Sequence, residues 1–316
     1  MTFESLLKLV GEPIFAVPPY APLWSIALLK LPGGESVSGK GKDEAAARLS
    51  CLGEAAEVLS ARLRDDDDRL IAKSITTGTT WSVDAKTVMV SDSGQLGSEG
   101  CAAGSDISSA IANALMERIE RHGVSRWWLA QTPAYSVPKS WLKENGIEDE
   151  IVALRENAQT KRKTHFLLLE ELAGVAVVMA ISMDAADQLP VLGVAAASNS
   201  VNAARSALTE LIQMEFALVL AIGAAKQEEI SNEHRALFRR CQQLETHKVG
   251  LLTSLSERTP RSGVELSILD IATALPGAVW WAELTRDQIG IPVVRVVTEG
   301  LQGARNLKFT KNGGPV

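Results

Sequence analysis

The sequence predicts an α+β fold in which helices pack on mixed β-sheets. Short apolar runs bounded by glycine or proline, which are typical of strands, alternate with longer runs that repeat apolar residues at helical spacing. The composition also indicates a folded chain, because 46% of the 316 residues are hydrophobic and 22% are charged. This balance provides enough apolar surface for a buried core and excludes a chain that is mainly disordered.

The first part of the chain is predicted to form a strand, a turn and a long helix. Residues 23–31 read LWSIALLKL, an apolar run that predicts a strand. A polar turn rich in glycine is expected at 38–41, and apolar residues at helical spacing predict a helix over 43–64. The helix stops at the aspartates 65–68, which we interpret as a solvated loop.

The rest of the chain repeats the order of strand, small-residue turn and helix. Trp127 and Trp128 are expected just beyond the second helix, as core or dimer contacts or as part of a peptide groove. The predicted strands are 81–90, 166–169, 175–182, 191–199 and two segments near Val279 and Pro292, and the predicted helices are 105–122, 201–225 and 232–255.

Charge, cysteine content and hydropathy exclude several classes of protein. The 38 acidic residues exceed the 32 basic ones, which argues against a nucleic-acid binder that relies on a basic surface. The three cysteines form no CxxC pair and the four histidines lack metal-ligand spacing, so neither a disulfide scaffold nor a zinc site is expected. The most apolar stretches, 173–181 and 216–225, are shorter than the roughly 20 residues of a membrane helix, and no signal peptide is recognised. We therefore expect a cytoplasmic protein that binds neither nucleic acid nor a membrane.

Polar side chains three or four positions apart recur on each of three predicted helices, so that they share one face of each helix. The sets are Ser50, Glu54 and Glu57 on the first helix, Glu117, Glu120 and Arg121 on the second, and Glu210 and Gln213 on the third. An acid next to buried surface needs a cation or a hydrogen-bond partner. Because Mg²⁺ is bound by carboxylates together with substrate phosphates, the pattern predicts a metal-held polyphosphate. For any one pair, a solvated helix face stays an alternative.

These helices lie in segments that resemble the signatures of the YcaO family. The segments are, in order, SGKG, ARLSCLGEAAE, GCAAGSDISSAIANALMERIER, ARSALTELIQ and IPVVRVVTEGL, and they span most of the chain from Gly39 to about Leu301. The resemblance implies one YcaO-like domain over residues 1–316, with sub-units at about 1–95, 96–165 and 166–316 and an ATP site between helices. It also implies that the γ-phosphate of ATP, with Mg²⁺, activates a backbone amide of a peptide.

The resemblance assigns roles residue by residue, and it names no catalytic residue. Arg205 stands one position before the family's arginine position, here Ser206, which turns its side chain by about 100° on a helix. Lys40 is expected in a glycine-flanked turn entering a helix, where anions are favoured, with an exposed turn lysine as the alternative. The implied metal ligands are Glu54, Glu57, Glu117, Glu120 and Glu210, and the implied ATP contacts are Ser50, Arg121 and Gln213, with Arg205 and Lys40 as further candidates.

The sequence departs from the family pattern at Val58, Ser109 and Ser206, and it lacks the proline-rich C-terminus of azoline-forming relatives. Phosphoryl transfer depends on positioning and charge neutralisation, so these losses allow a weakened ATPase. On a ribosomally made precursor peptide, the implied product is a thioamide, an azoline or an amidine. By a small margin we favour thioamidation with a TfuA-like partner over cyclodehydration with a leader-binding partner.

Two other functions are considered beside this enzyme. A degenerate YcaO-like scaffold would bind a peptide or a partner protein without ATP turnover. A kinase-like or ATP-grasp-like enzyme is disfavoured, because the chain has no GxxxxGK[ST] loop and no kinase signatures. The resemblance also implies a homodimer.

Overall fold

The computed structural model describes residues 3–91, 97–155, 162–247, 255–261 and 263–303. The chain groups into two compact units, each assembled from separate segments. Unit 1 comprises Met1–Ala16, Ser25–His122 and Leu266–Arg305, and unit 2 is formed mainly by Val17–Trp24 and Gly123–Glu265. These boundaries do not coincide with the sub-unit boundaries expected near residues 95 and 165, and the single YcaO-like domain stays a prediction.

Unit 1 contains two antiparallel sheets. The first sheet consists, in spatial order, of β1 (Ile14–Ala16), β2 (Ser25–Lys30) and β3 (Ser36–Gly41). The second consists of β4 (Arg69–Ser74), β5 (Thr80–Asp84), β6 (Cys101–Ala103), β11 (Val279–Glu283) and β12 (Val293–Thr298), in the spatial order β5-β4-β11-β12-β6. The helices of this unit are α1 (Glu4–Val10), α2 (Glu44–Ala61), most of α3 (Ile107–Trp128) and α8 (Ile268–Ala274).

Helix α2 forms where the sequence predicts it. The Asp43 side chain caps its first turn by accepting a hydrogen bond from the Ala46 backbone N–H at 2.7 Å. One stripe of the helix, which includes Cys51 and Ala55, is completely buried. At Arg62 the backbone becomes extended and the helix ends. Burial of this stripe decides which face of α2 is left to carry its acids.

The polar turn expected at 38–41 is instead the end of β3, so this prediction is wrong. A Cβ atom on Gly39 would lie 2.1 Å from the Cys51 backbone nitrogen and 2.4 Å from the Ala47 carbonyl oxygen. Glycine is therefore required by the close packing of α2 on this strand and not by a turn. Lys40 lies in the same strand, and its expected place at a helix entry is also wrong.

Other expectations in unit 1 need correction. The strand expected at 81–90 ends at Asp84 and is followed by a short 3₁₀ turn, and the sequence pattern does not predict β4 or β6. The acidic run 65–68 is not wholly solvated. Both carboxylate oxygens of Asp67 accept hydrogen bonds from Arg286, at 2.5 and 2.6 Å. Three of the four aspartates remain exposed, and the fourth is tied to the rest of the unit.

Unit 2 is built on a four-stranded antiparallel sheet. Its strands are β7 (Tyr135–Ser136), β8 (Lys163–Leu172), β9 (Val175–Met183) and β10 (Val191–Ala197), in the spatial order β10-β9-β8-β7. Its helices are the end of α3, α4 (Lys139–Glu144), α5 (Ile147–Arg155), α6 (Ser200–Lys226) and α7 (Asn232–His247). The predicted polar helix at 232–255 is confirmed as far as α7 extends, and residues 248–254 lie outside the described part of the chain.

The β8–β9 hairpin and the end of α3 form much of the core of unit 2. A two-residue turn joins the two strands, and Ala173 and Gly174 both take positive φ angles, 53° and 77°, as a type I′ turn requires. Trp127 and Trp128 lie inside α3 and not beyond it, and they are 1% and 6% exposed. Their burial confirms the core interpretation for this pair.

Helix α6 packs on β9 and β10 and is capped by Asn199, whose side chain accepts hydrogen bonds from two backbone amides. By length and composition alone α6 could cross a membrane, so the expectation that every apolar stretch is too short is wrong for this helix. This indication is weak, because the core helix of a folded protein passes the same test.

A buried ionic network anchors the middle of α6. Glu215 is completely buried, and its two oxygens accept hydrogen bonds from Arg155 at 2.6 and 2.7 Å. The Ser182 hydroxyl on β9 donates a third bond to the same carboxylate at 2.6 Å. The network joins α5, α6 and β9, and it satisfies a charge that could not otherwise be buried.

Candidate functional site

Acidic side chains from α2 and α3 approach each other beside β6, an edge strand of the five-stranded sheet. Glu57 on α2 lies beside the backbone amide of Ala103, the last residue of β6, which acts to lower the pKa of its carboxyl group. Glu117 on α3 accepts a hydrogen bond from the Gly100 amide at 3.0 Å, just before the first residue of β6. Carboxylates from two helices therefore lie beside the two ends of one short strand, and the backbone at one of these ends holds Glu117.

The Glu57 carboxyl lies where its negative charge is disfavoured. Burial raises its pKa well above the usual value, and the charges of Glu54 and Glu117 raise it further. Arg121 and the Ala103 amide act in the opposite direction and do not cancel these effects. Burial also raises the pKa of Glu117. Like charges thus repel each other in a partly desolvated place.

Arg121 is a cation in direct contact with these acids. Its Nε atom donates a hydrogen bond to Glu117 Oε1 at 3.4 Å, and its Nη1 atom lies 3.8 Å from Glu120 Oε1. Burial lowers the pKa of Arg121, but the charges of Glu120 and Glu117 outweigh burial and raise it overall. The side chain is 43% exposed, so the guanidinium contacts the acids and stays accessible to a ligand.

The donor set suits a hard divalent cation that is shared with phosphate. Among the residues that the structure describes, no three His, Cys, Asp or Glu side chains come close enough to hold an ion by themselves. Mg²⁺, however, is usually bound through one or two carboxylates together with waters and substrate phosphates. A divalent cation beside Glu57, Glu54 and Glu117 would relieve the repulsion that raises the pKa of Glu57. The residues present therefore fit Mg²⁺ held jointly with a nucleotide.

The other two residues of unit 1 that were predicted to contact ATP differ in their exposure to solvent. Ser50 lies on the exposed face of α2, and Lys40 is half-buried in β3. Their contacts with ATP stay predictions. The predicted residues that the structure gathers into one neighbourhood of unit 1 are Glu54, Glu57, Glu117, Glu120 and Arg121.

Two departures from the family pattern have structural roles here. Asp106 accepts a hydrogen bond from the Ser109 backbone N–H at 2.8 Å, and the Ser109 hydroxyl accepts one from the Asp106 N–H at 3.0 Å. These reciprocal bonds hold the start of α3, as a capping box does. Val58 packs against the apolar core of unit 1. Neither residue supplies the charge that the family pattern would place there.

Glu210 and Gln213 lie half-buried on α6 in unit 2. Helix α6 and strand β10 lie very close together at this point. A Cβ atom on Gly193 of β10 would lie 2.3 Å from the Ala207 carbonyl oxygen and 2.6 Å from Glu210 Cβ. The contact fixes Glu210 relative to β10. It repeats in unit 2 the approach of α2 to β3 at Gly39. The ligand roles of Glu210 and Gln213 stay predictions.

Arg205 makes its described contacts within unit 2. Its Nε atom donates a hydrogen bond to Glu150 Oε1 at 2.7 Å, and its Nη2 atom donates one to the Asn145 carbonyl oxygen at 3.2 Å. The side chain thereby ties α6 to α5 and to the residue that ends α4. This is a structural role, and a contact of Arg205 with ATP stays a prediction.

Sequence reasoning missed the residues that support Glu117. Gly100 has a φ angle of 77°, and a Cβ atom there would lie 2.4 Å from the Val296 carbonyl oxygen, so the position requires glycine. Next to it, Glu99 pairs with the buried Arg118 at 3.0 Å. The available signal was Gly100 itself, which stands in the segment GCAAG without an assigned role.

Comparisons of the sequence with known proteins identify the family of the chain. A sequence model described as the YcaO cyclodehydratase, ATP- and Mg²⁺-binding, matches residues 70–302, which is more than half of the chain. An uncharacterized protein of Methanothermobacter thermautotrophicus is 28% identical over 219 residues, which are 64% of this chain and 55% of that protein.

Several solved structures share the fold. A heterocyclase in complex with substrate and cofactor has a TM-score of 0.76 and 18% identity over 96% of this chain and 52% of its own. YcaO from Methanopyrus kandleri bound with AMPPCP and Mg²⁺ has a TM-score of 0.69 and 19% identity over 95% of this chain and 89% of its own. The E. coli microcin synthetase McbBCD complex with pro-MccB17 bound has a TM-score of 0.66 and 13% identity over 90% of this chain and 87% of its own. At these identities the likeness establishes the fold alone, which is the predicted YcaO-like α+β fold.

The family model and the relatives match different lengths of this chain and of their own chains. This chain spans about half the length of the first heterocyclase and of the Methanothermobacter relative. The range matched by the family model begins after α2, so it contains Glu117 but not Glu57, which the structure adds to the acids of α3. Since that range still covers most of both units, the chain belongs to the YcaO family, whose cofactors are ATP and Mg²⁺.

Proposed function

We propose that this chain is an ATP- and Mg²⁺-dependent enzyme that activates a backbone amide of a ribosomally made precursor peptide. The approach of Glu57 and Glu117 beside β6, with Glu54 and Arg121 next to them, carries the proposal. Carboxylates that repel each other beside a half-exposed arginine are suited to bind a divalent cation and phosphate together. Membership of the YcaO family supports the same class of reaction.

The residues of the chain would act mainly by positioning. Glu57, Glu117 and Glu54 would supply one or two carboxylates to each Mg²⁺ ion, which the nucleotide phosphates would also bind. When bound, ATP and Mg²⁺ supply the phosphoryl group that turns the amide oxygen into a leaving group. Arg121 would donate hydrogen bonds to phosphate oxygens and offset their negative charge, while Glu120 helps to keep its guanidinium in place.

The product that we expect first is an azoline. The family model describes a cyclodehydratase, and one structural relative is a heterocyclase in complex with substrate, which support this choice over the thioamide favoured from the sequence. A thioamide is the second product to look for. For partners we propose the precursor peptide and a leader-binding or TfuA-like protein, and we keep the homodimer and the cytoplasmic location as proposals.

Nucleotide titration tests the proposal. We expect AMPPCP to bind with micromolar affinity in the presence of Mg²⁺ and much more weakly in EDTA, as measured by calorimetry. Glu57→Gln and Glu117→Gln should each weaken the Mg²⁺-dependent binding about tenfold or more, because each removes a charged ligand. Glu44→Gln, at the exposed start of the same helix as Glu57, is the matched control and should bind like the wild type. Binding that ignores Mg²⁺, or its complete absence, would contradict the proposal.

A second candidate function is a scaffold that binds peptide without ATP turnover. The contacts of Arg205 with Glu150 and the packing of Val58 favour it, because both side chains are committed to structure. Mass spectrometry of a candidate peptide after incubation with ATP and Mg²⁺ separates the two functions. Loss of water indicates an azoline, exchange of oxygen for sulfur indicates a thioamide, and nucleotide binding with an unchanged peptide mass favours the scaffold.

A further inference from the structure

Arg118 is a buried arginine of α3 that lies beside the candidate site. It follows Glu117 in sequence, and only 9% of the residue is exposed. Burial lowers the pKa of Arg118, while the charges of Glu99 and Glu117 act in the opposite direction. A buried arginine is costly unless hydrogen bonds and a negative partner offset its desolvation. Its contacts show what this residue holds in place.

The hydrogen bonds of Arg118 join segments of unit 1 that are distant in sequence. Its Nη1 atom donates to Glu99 Oε2 at 3.0 Å, just before β6. Its Nε atom donates to the hydroxyl of Thr298, the last residue of β12, at 3.2 Å. Its Nη2 atom donates to the Leu301 carbonyl oxygen at 3.4 Å. One side chain thus ties α3 to the start of β6 and to the end of the neighbouring strand, and we call these contacts the Arg118 clamp.

The aliphatic part of Arg118 lies directly against the backbone of Gly100. A Cβ atom on Gly100 would lie 2.7 Å from Arg118 Cδ and 2.9 Å from Arg118 Cγ. The Gly100 carbonyl oxygen also accepts a hydrogen bond from the Val296 amide of β12 at 2.7 Å. The backbone at Gly100 is therefore confined both by β12 and by the side chain of Arg118.

The amide that is confined in this way is the one that holds Glu117. The Gly100 N–H donates a hydrogen bond to Glu117 Oε2 at 3.0 Å. Because a peptide unit is planar and rigid, any shift of the Gly100 backbone would move this donor. Groups that bond to a metal ligand set its orientation, and losing one lowers metal affinity roughly 10- to 100-fold.

We propose that Arg118 is a positioning residue of the candidate site, which holds the Gly100 amide where it orients the Glu117 carboxylate for Mg²⁺. The assignment of Mg²⁺ to this carboxylate rests on the proposed function. Arg118 itself contacts neither the metal nor the nucleotide. Thr298 and Leu301 fix its guanidinium, so the site depends on a part of the chain that carries none of the predicted ligands.

Charge and position predict opposite effects of removing Arg118. Glu99 lies near enough to Glu117 for its charge to raise the pKa of Glu117. Without Arg118 the negative charge of Glu99 would be uncompensated, and charge alone would then predict tighter binding of a divalent cation. Loss of position predicts weaker binding, because Glu117 would no longer be oriented for the metal. The direction of the change therefore separates these two roles.

A magnesium titration of Arg118→Met measures this direction. AMPPCP binding would be measured by calorimetry at a series of Mg²⁺ concentrations, well below the melting temperature. The Mg²⁺ concentration at half-maximal binding should rise about tenfold in Arg118→Met. A value that is unchanged or lower than that of the wild type would overturn the proposal.

Arg286→Met is the matched control for a loss of stability alone. The Arg286 side chain is 15% exposed and that of Arg118 is 11% exposed, and Arg286 pairs with Asp67 in the same unit. Arg286→Met should therefore destabilise the protein comparably and keep the Mg²⁺ dependence of the wild type. Equal weakening of Mg²⁺ binding in both variants would assign the effect to stability and refute a positioning role.

Thr298→Val is a milder variant that tests the clamp if Arg118→Met does not fold. It keeps the shape of the side chain and removes the hydroxyl that accepts the bond from Arg118 Nε. The Mg²⁺ concentration at half-maximal binding should rise about threefold, which corresponds to one lost hydrogen bond. Thr80→Val, on the exposed strand β5, should change nothing. A Thr298→Val variant that behaves like Thr80→Val would contradict the proposal.

Amide hydrogen exchange tests the clamp without any ligand. In Arg118→Met, NMR should show exchange at the Gly100 amide that is at least about tenfold faster relative to the amide of Leu52, a buried residue inside α2. Arg286→Met should leave this ratio unchanged. An unchanged ratio in Arg118→Met would show that Arg118 does not hold the Gly100 amide, and the proposal would be wrong.

The two measurements together distinguish this proposal from the proposed function. If the wild type shows no Mg²⁺-dependent binding of AMPPCP, the proposed function is wrong, and so is the role of the clamp in metal binding, even where the exchange at Gly100 responds to Arg118→Met. If the wild type binds Mg²⁺ and AMPPCP but Arg118→Met changes neither the Mg²⁺ dependence nor the exchange ratio, the proposed function stands and the positioning role is wrong.

Discussion

Glu57 and Glu117 lie on different helices, yet their carboxyl groups come close enough beside β6 for the charge of Glu117 to raise the pKa of Glu57, and Glu117 is held there by a hydrogen bond from the Gly100 amide. Burial raises the pKa of Glu57, and the charges of Glu54 and Glu117 raise it further. Arg121 and the Ala103 amide lower it and do not cancel these effects. The pair therefore costs stability as long as no divalent cation lies beside it, because Arg121 alone does not cancel the repulsion. Binding of a divalent cation to the folded protein would recover that stability by mass action.

Glu57→Gln should stabilise the protein in EDTA and abolish its response to nucleotide. Removing one of two repelling charges should raise the melting temperature by about 2–4 °C, which corresponds to about 1 kcal/mol. Addition of Mg²⁺ and AMPPCP should raise the melting temperature of the wild type and of Glu44→Gln, but hardly that of Glu57→Gln. Thermal unfolding with and without the ligands measures both effects. A Glu57→Gln variant that melts lower in EDTA would contradict the interpretation of the pair.

Gly39→Ala and Gly53→Ala should have opposite effects on stability, although both glycines lie on or against α2. A Cβ atom on Gly39 would lie 2.1 Å from the Cys51 backbone nitrogen, whereas one on Gly53 would meet nothing within 4 Å. Gly39→Ala should therefore cost about 3 kcal/mol and displace α2. Gly53→Ala should gain up to about 1 kcal/mol, because alanine favours a helix interior. Unfolding in urea measures the change in the free energy of unfolding for both variants. Equal losses of stability would show that the close contact at Gly39 does not cause the cost of Gly39→Ala.

The elements that the sequence predicts well are those whose own pattern specifies them. Helix α2, which Asp43 caps, has its cap, its apolar stripe and its stop within one continuous segment. The β8–β9 hairpin likewise has two apolar runs and a two-residue turn. By contrast, β6 has three residues and exists by pairing with β12, which is distant in sequence. No local pattern marks such a strand.

In the candidate site, too, the sequence predicts the features that a local pattern specifies and misses those that depend on contacts distant in sequence. The spacing of the acids on α2 and α3 and the family resemblance predict that Glu57 and Glu117 act together. They do not predict the Gly100 amide that fixes Glu117, because it depends on a left-handed glycine packed under Val296. The error at Lys40 arose because glycine marks turns and close helix packing alike. Only the observed contact with α2 distinguishes these causes.

Asp67→Asn should remove a contribution to stability that depends on pH. Hydrogen bonds from Arg286 lower the pKa of Asp67 in the folded protein, against the smaller effect of burial. A carboxyl group whose pKa is lower in the folded state than in the unfolded state stabilises the fold at pH values above its unfolded-state pKa of about 3.9. This contribution to stability is lost as the pH falls through the folded-state pKa. Asp67→Asn should therefore cost about 2–3 kcal/mol at pH 7, because it leaves the largely buried Arg286 charge uncompensated.

Unfolding of both proteins in urea over a range of pH checks the sign of this effect. The difference between wild type and Asp67→Asn should begin to shrink below about pH 4, where the unfolded chain is protonated, and should approach zero only below the lowered folded-state pKa of Asp67, where the carboxylate is protonated in both states. Asp65→Asn, which changes an exposed residue of the same run, should match the wild type throughout. A difference that persists undiminished at low pH would assign the loss to packing and not to the charge.

Glu215→Gln should be among the most destabilising changes that conserve the shape of a side chain. Glu215 is completely buried, and it accepts two hydrogen bonds from Arg155 and one from Ser182. Glutamine leaves Arg155 and the nearby Arg162, at 3.5 Å, without a negative partner, which should cost about 3–5 kcal/mol. Glu229→Gln, on the exposed segment after α6, should cost almost nothing.

A double-mutant cycle with Arg155→Met tests the cause of this loss. If the uncompensated arginine charge dominates, Arg155→Met should relieve part of the cost of Glu215→Gln, with a coupling of at least about 1 kcal/mol in the free energy of unfolding. Additive losses would mean instead that the network acts through packing. Because Glu210 and Gln213 lie on the same helix as Glu215, the cycle measures the coupling of the ion pair that ties this helix to α5.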